Sequence, residues 1–189
     1  MKNAIIVHGT CSKEEYYDKN FPSLSNANWI PWLSNELLMN DISAYAVEVP
    51  HCYSPDYAVW CREFERFEIT NKTILIGHSC GGGFLVRWLS EHPEVSVNRV
   101  VLVAPWLDPE NVKNNDFFKF TIDPSITRRA ESLTILHSLD DMKSVVASVK
   151  TLREKITDIN YKEFTNKGHF CFEDLHTDAF PELLEFILS

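Results

Sequence analysis

The pentapeptide Gly77-His78-Ser79-Cys80-Gly81 closes an apolar run, Ile74-Leu75-Ile76. It opens a stretch with helical spacing of apolar residues at Phe84, Leu85, Val86, Trp88 and Leu89. A strand that breaks into a helix through Gly-x-Ser-x-Gly is the setting of a nucleophile elbow. The chemistry open to a serine there is covalent: its hydroxyl attacks an acyl carbon once a base takes its proton. Such a turn holds the serine in a strained backbone conformation, so the residues two positions away must be small. Gly77 and Gly81 meet that demand. Gly82 and Gly83 carry the glycines on into the helix, where each costs about 1 kcal/mol relative to alanine. A purely structural turn has no use for three in a row.

The serine needs a base, and the base needs an orienting carboxylate. On a strand–elbow–helix scaffold these follow along the chain as serine, acid, histidine. Gly168-His169 comes late, just past a strand-like run, which makes His169 the expected base and His176 the alternative. His92 and His51 read as polar surface residues. The acid should leave the preceding strand, where Asp140 and Asp141 stand side by side. Neighbouring side chains diverge, so one of them orients the imidazole and the other is available to cap the helix that starts near Met142. Asp141 is preferred over Asp140, and Asp108 is a third option.

An oxyanion needs two N–H donors. One is the backbone N–H of Cys80, and the other should come from His8-Gly9-Thr10-Cys11, with Thr10 favoured, Cys11 close behind, and Gly9 permitting close approach. Gly9, Cys11, His78 and Trp106 are the expected substrate contacts. Tyr16, Tyr17, Phe21, Phe117 and Phe118 are further candidates for a pocket wall. The Cys80 side chain reads as a small buried residue, because an elbow projects its central residue.

The elements that must hold these residues alternate in type. Strand-like runs are expected at Asn3 to Val7, Ser43 to Val49, Thr73 to Ile76, Arg99 to Val103, Leu133 to Leu136 and Ile159 to Phe164, with helical patterns between them. That alternation predicts an α/β fold of three layers, about six parallel strands with helices on both faces. Asn28 is a candidate cap for the helix that carries Trp29, Trp32, Leu33 and Leu37, with Pro31 in its first turn. The Cys11–Ala27 connection is long for a βα loop, and 107–125 is the least regular stretch. With 189 residues and no linker, residues 1–189 are expected to form a single domain.

A net charge of −9 without a Lys/Arg cluster argues against a nucleic-acid partner. No run is long enough for a membrane span or a signal segment. The five cysteines form no Cys-x-x-Cys, so free thiols in a reducing cytoplasm are expected. His51-Cys52 and His169-x-Cys171 lack matching partners, and no metal is expected. The turn after the first strand lacks Gly-x-Gly-x-x-Gly, so no dinucleotide cofactor is expected either.

His8-Gly9-Thr10, Gly77-His78-Ser79-Cys80-Gly81-Gly82, Asp140-Asp141 and Gly168-His169-Phe170, in that order, resemble the small α/β-hydrolases of the retinoblastoma-binding protein 9 and YdeN type. The likeness extends over nearly the whole chain, including Trp29, Trp32-Leu33 and Leu102-Val103-Ala104. It implies a reduced α/β-hydrolase fold without a leading hairpin or large lid. It also implies Ser79 as nucleophile, Asp141 as acid and His169 as base. The expected function is that of a serine hydrolase on a small ester, thioester or amide. The alternative is a protein-binding module on the same scaffold. Two positions depart from the family pattern: Met142 stands where many relatives have proline, and the first loop is less glycine-rich than in some members.

Overall fold

The computed structural model describes residues 2–189. Six strands form one sheet: β1 (Asn3–Val7), β2 (Ser43–Val47), β3 (Thr73–His78), β4 (Val97–Val103), β5 (Ala130–Ser138) and β6 (Asn160–Phe164), in the order β2-β1-β3-β4-β5-β6. Every pairing is parallel. Helices cover both faces of the sheet. The strand sequences record this: every residue of β3 is buried, as a strand covered on both sides demands. The edge strand β6, Asn-Tyr-Lys-Glu-Phe, has no fully buried residue.

The main helices are α2 (Ile30–Met39), α3 (Tyr57–Phe64), α4 (Cys80–Glu91), α5 (Lys143–Lys155) and α7 (Pro181–Leu188), with short α1 (Lys13–Tyr17) and α6 (Phe172–Leu175). Large aromatics do much of the packing. Trp60, Phe64, Phe84 and Phe117 interlock around α3 and α4, while Trp29, Phe170 and Phe180 do so beside α2 and α7. Each such side chain buries about 150–250 Å². On α5 the apolar positions Val145, Val149 and Leu152 share one face and are all buried.

One local expectation is corrected. Asn28 does not cap α2: its φ is 54°, the cap position is Trp29, and the Asn28 carboxamide accepts the Phe172 N–H at 2.9 Å. Within the long Cys11–Ala27 connection, Ser12 and Glu15 form a reciprocal capping box that starts α1. The irregular segment before β5 is secured by Arg129, whose guanidinium donates to the carbonyls of Leu89, His92 and Val95 and to Asp123.

The strands end nearly in line, with Val7 beside Gly77 and His78 beside Val103. The loops after β1, β3, β4, β5 and β6 therefore leave from one sheet edge, where ligands bind in open α/β sheets.

Candidate active site

Ser79 sits at the β3–α4 junction with φ 54° and ψ −121°, outside the usual regions for a residue with a side chain. Its main chain is tied on both sides. The Ser79 N–H donates to Val103 O at 2.9 Å, and its carbonyl accepts from Gly83 and Trp106 at 3.2 and 3.0 Å. The glycines answer to backbone contact rather than to helix propensity. A Cβ on Gly81 would run into the carbonyl oxygens of Val7 and His8, and one on Gly77 would lie 2.7 Å from Gly81 O.

His169 Nε2 lies 2.9 Å from Ser79 Oγ, and its Nδ1 is 3.0 and 3.1 Å from the two carboxylate oxygens of Asp141. Three residues from distant parts of the chain thus form one continuous hydrogen-bonded line. The Asp141 side chain has no exposed surface and that of His169 is 19% exposed. Asp140 points elsewhere. It accepts from Ser138 Oγ and, at 3.2 Å, from the Gly168 N–H. Asp141 also takes the Met142 N–H at 2.6 Å, but no side chain caps α5. His176 is exposed at the end of α6, and Asp108 accepts only from its own loop, at Val112 and Lys113.

The His169 loop is held residue by residue. Ser138 Oγ accepts the Lys167 N–H at 3.0 Å, and Asp174 accepts the His169 N–H at 2.8 Å. His78 Nε2 donates to His169 O at 2.8 Å, and Trp29 Nε1 donates to Phe170 O at 3.1 Å. Gly168 has φ 48°, and a Cβ there would collide with Asp174. Sequence reasoning missed Ser138, Asp174 and the Trp29 bond, because each partner is recognisable only once the loop is in place.

Charge at the site is tuned by burial. Burial, and then the nearby His169, push His78 down to about 3, so it is a neutral donor. Burial likewise lowers His8, which bonds Gly9 O at 2.6 Å and accepts the Val49 N–H at 3.1 Å. The Cys80 thiol is pushed up by burial to about 11, so it stays protonated beside Ser79. Ser138 donates a hydrogen bond that pulls Asp140 below the usual carboxylate range. Thr10 Oγ1 lies 3.3 Å from Cys80 Sγ and ties the β1 exit loop to the elbow.

Above Ser79 and His169 opens a cavity of about 200 Å³ whose walls include Gly9, Thr10, Cys11, His78, Phe21, Leu24 and Ile30. Trp106 is not among its walls; it serves the elbow through its main chain and packs edge-on against Phe118. Of the expected aromatics only Phe21 lines the cavity, Phe117 being in the core and Tyr16 and Tyr17 in a surface cluster with Tyr53. Among the described residues no group of three His, Cys, Asp or Glu is placed to hold a metal ion, and no helix is long and apolar enough to cross a membrane.

Comparison with known proteins agrees with this architecture. The chain is 24% identical to YdeN of Bacillus subtilis (strain 168) over 185 residues, 94% of this chain and 96% of that protein. The crystal structure of the B. subtilis ydeN gene product matches with a TM-score of 0.83 at 22% identity, covering 100% and 98% of the two chains. Est1E from Butyrivibrio proteoclasticus, solved with ferulic acid bound, gives 0.65 at 12% identity over 100% and 88%. A methylesterase from Arabidopsis gives 0.64 at 14% identity over 99% of both chains. These likenesses show the α/β-hydrolase fold. The sequence model described as serine hydrolase matches residues 21–187, and the chain belongs to that family.

Proposed function

We propose that the protein hydrolyses a small ester, thioester or amide through an acyl-enzyme on Ser79. His169 takes the Ser79 proton as the hydroxyl attacks the acyl carbon, and then delivers it to the leaving group. It next activates a water that releases the acyl group. Asp141 orients the imidazole and stabilises its protonated form. The N–H groups of Cys80 and Thr10 receive the oxyanion. The observation that carries this reading is the unbroken line from Ser79 Oγ through His169 to Asp141, with bonds of 2.9 to 3.1 Å. A protein-binding scaffold would have no use for that alignment.

The cavity bounds the substrate. At about 200 Å³ it is smaller than the ~300–1,000 Å³ common for drug-sized ligands, and Phe21, Leu24 and Ile30 give it apolar walls. A short acyl group fits, with the leaving group toward solvent. The five free thiols suit a reducing cytoplasm.

The test is covalent labelling with a fluorophosphonate probe, followed by hydrolysis of p-nitrophenyl esters of graded chain length. Wild type should label, Ser79→Ala should not, and the rate should fall as the acyl chain outgrows the cavity. A well-folded wild type that never labels would overturn the reading.

A further inference from the structure

Cys11 follows Thr10 in the β1 exit loop, and Cys52 lies in the loop after β2. Their sulfurs are 3.6 Å apart, in van der Waals contact. The two strands are neighbours, with Val7 beside Val47, so the loops leave the sheet side by side. Cys11 is half-buried in the wall of the cavity above Ser79. Both thiols also line an adjoining cavity of about 370 Å³, together with Tyr16, Phe21 and Glu48. A small solute therefore has a route to Cys11, with Cys52 buried behind it.

We propose that Cys11 and Cys52 are a redox-modifiable dithiol, and that their oxidation to a disulfide by a peroxide shuts the Ser79 site. The Cys11 thiolate attacks the peroxide, so that an S–O bond forms, the O–O bond breaks and one water (or alcohol) leaves. The Cys52 sulfur then displaces hydroxide from the Cys11 sulfenic acid, forming the S–S bond and releasing a water. Two thiols lose two electrons and two protons, and the peroxide is reduced. Burial raises both thiols, Cys52 to about 12, and the carboxylates of Glu15 and Glu48 add to the effect. The reactive thiolate is therefore a small fraction of Cys11 at neutral pH, and the oxidation is slow.

A disulfide needs its sulfurs about 2.05 Å apart, so the two sulfurs must close by roughly 1.5 Å, and whatever side-chain rotation does not supply is drawn from the loops. Cys11 is covalently next to Thr10, whose side chain holds Cys80. Drawing that loop toward β2 moves the proposed oxyanion donor, and a displacement near 1 Å is worth roughly a hundredfold in rate. The effect on activity rests on the hydrolase reading; the cross-link does not.

The full chain is incubated with hydrogen peroxide, then mapped by non-reducing peptide mass spectrometry and labelled with fluorophosphonate. A Cys11–Cys52 linked peptide should appear, with two of the five thiols consumed. The labelling rate should fall by about a hundredfold and return with dithiothreitol. Cys52→Ala should label like wild type before oxidation and show no thiol-reversible loss after it. Absence of the linked peptide, or a linked protein that labels at the full rate, overturns the proposal. So does a reversible loss in Cys52→Ala equal to that of wild type. If the reduced protein never labels, the hydrolase reading fails by itself, and the peptide map still decides whether the dithiol exists.

Discussion

Replacing Asp141 by asparagine keeps the shape of the site and removes one charge. In the proposed transition state the imidazole of His169 carries a proton, and Asp141 faces it at 3.0 and 3.1 Å. Opposite unit charges about 4 Å apart are worth about 4 kcal/mol at an effective dielectric near 20. Solvent screening takes little of this, because the Asp141 side chain is wholly covered. At 1.4 kcal/mol per factor of ten, the loss is about a thousandfold in kcat. An amide NH₂ turned toward Nδ1 would also leave the ring proton on Nε2, where it blocks removal of the Ser79 proton, so the loss can approach ~10⁴. Asp140→Asn is the control: its partners are Ser138 and Gly168, and the amide oxygen can still accept from one of them. Its kcat should drop less than about tenfold, the size of one weakened hydrogen bond. The assay is p-nitrophenyl acetate hydrolysis, normalised to folded protein by circular dichroism. If Asp141→Asn kept more than about a tenth of wild-type kcat, or if Asp140→Asn fell as far, the assignment of the carboxylates would be refuted.

Three further outcomes are expected. His78→Leu leaves the His169 carbonyl without its donor, which should cost about 1–3 kcal/mol in urea unfolding and lower kcat, while His78→Gln recovers most of both; equal losses in the two variants would count against a hydrogen-bonding role. His78 and His8 are held below their ordinary value by burial, so only the unfolded chain takes up their protons as pH falls through 6.5. The stability they protect is complete above pH 6.5 and drains below it, for His78 toward pH 3, at up to about 1.4 kcal/mol per pH unit for each histidine; melting curves from pH 7 to 4.5 should show this slope, shallower in His78→Gln, and a flat profile would contradict it. Gly81→Ala drives a methyl into the carbonyls of Val7, the last residue of β1, and of His8 just after it, so a loss of about 1–3 kcal/mol with collapse of fluorophosphonate labelling is expected; an unchanged melting temperature would show that the elbow has room.

The parts of the molecule legible in the sequence were those whose constraint is local. Only glycine fits at 77 and 81, so the elbow is spelled out in the residues themselves. A strand covered on both faces must be apolar throughout, so β3 announces itself. That only one of Asp140 and Asp141 can orient the imidazole follows from the divergence of adjacent side chains, and the two do point to different partners. What the sequence hid depends on partners far along the chain. Asn28 has the composition of a cap, but its carboxamide is claimed by Phe172, 144 residues away. His78 does line the cavity, but nothing local shows that its N–H is taken by a carbonyl 91 residues on. Aromatic residues report bulk and not direction, so nothing local distinguishes Phe117, packed on Trp60, from Phe21 in the cavity wall.

Residue 79 holds a backbone torsion in which any side chain is disfavoured, by on the order of 1–3 kcal/mol. Glycine bears none of that strain, so the residue type best suited to the turn is one with no hydroxyl to offer. Robustness and reactivity therefore make opposing demands on a single codon. A laboratory selection that rewards heat tolerance alone would be drawn to glycine here and, on the proposed mechanism, would return a sturdier, inert protein unless this position were locked.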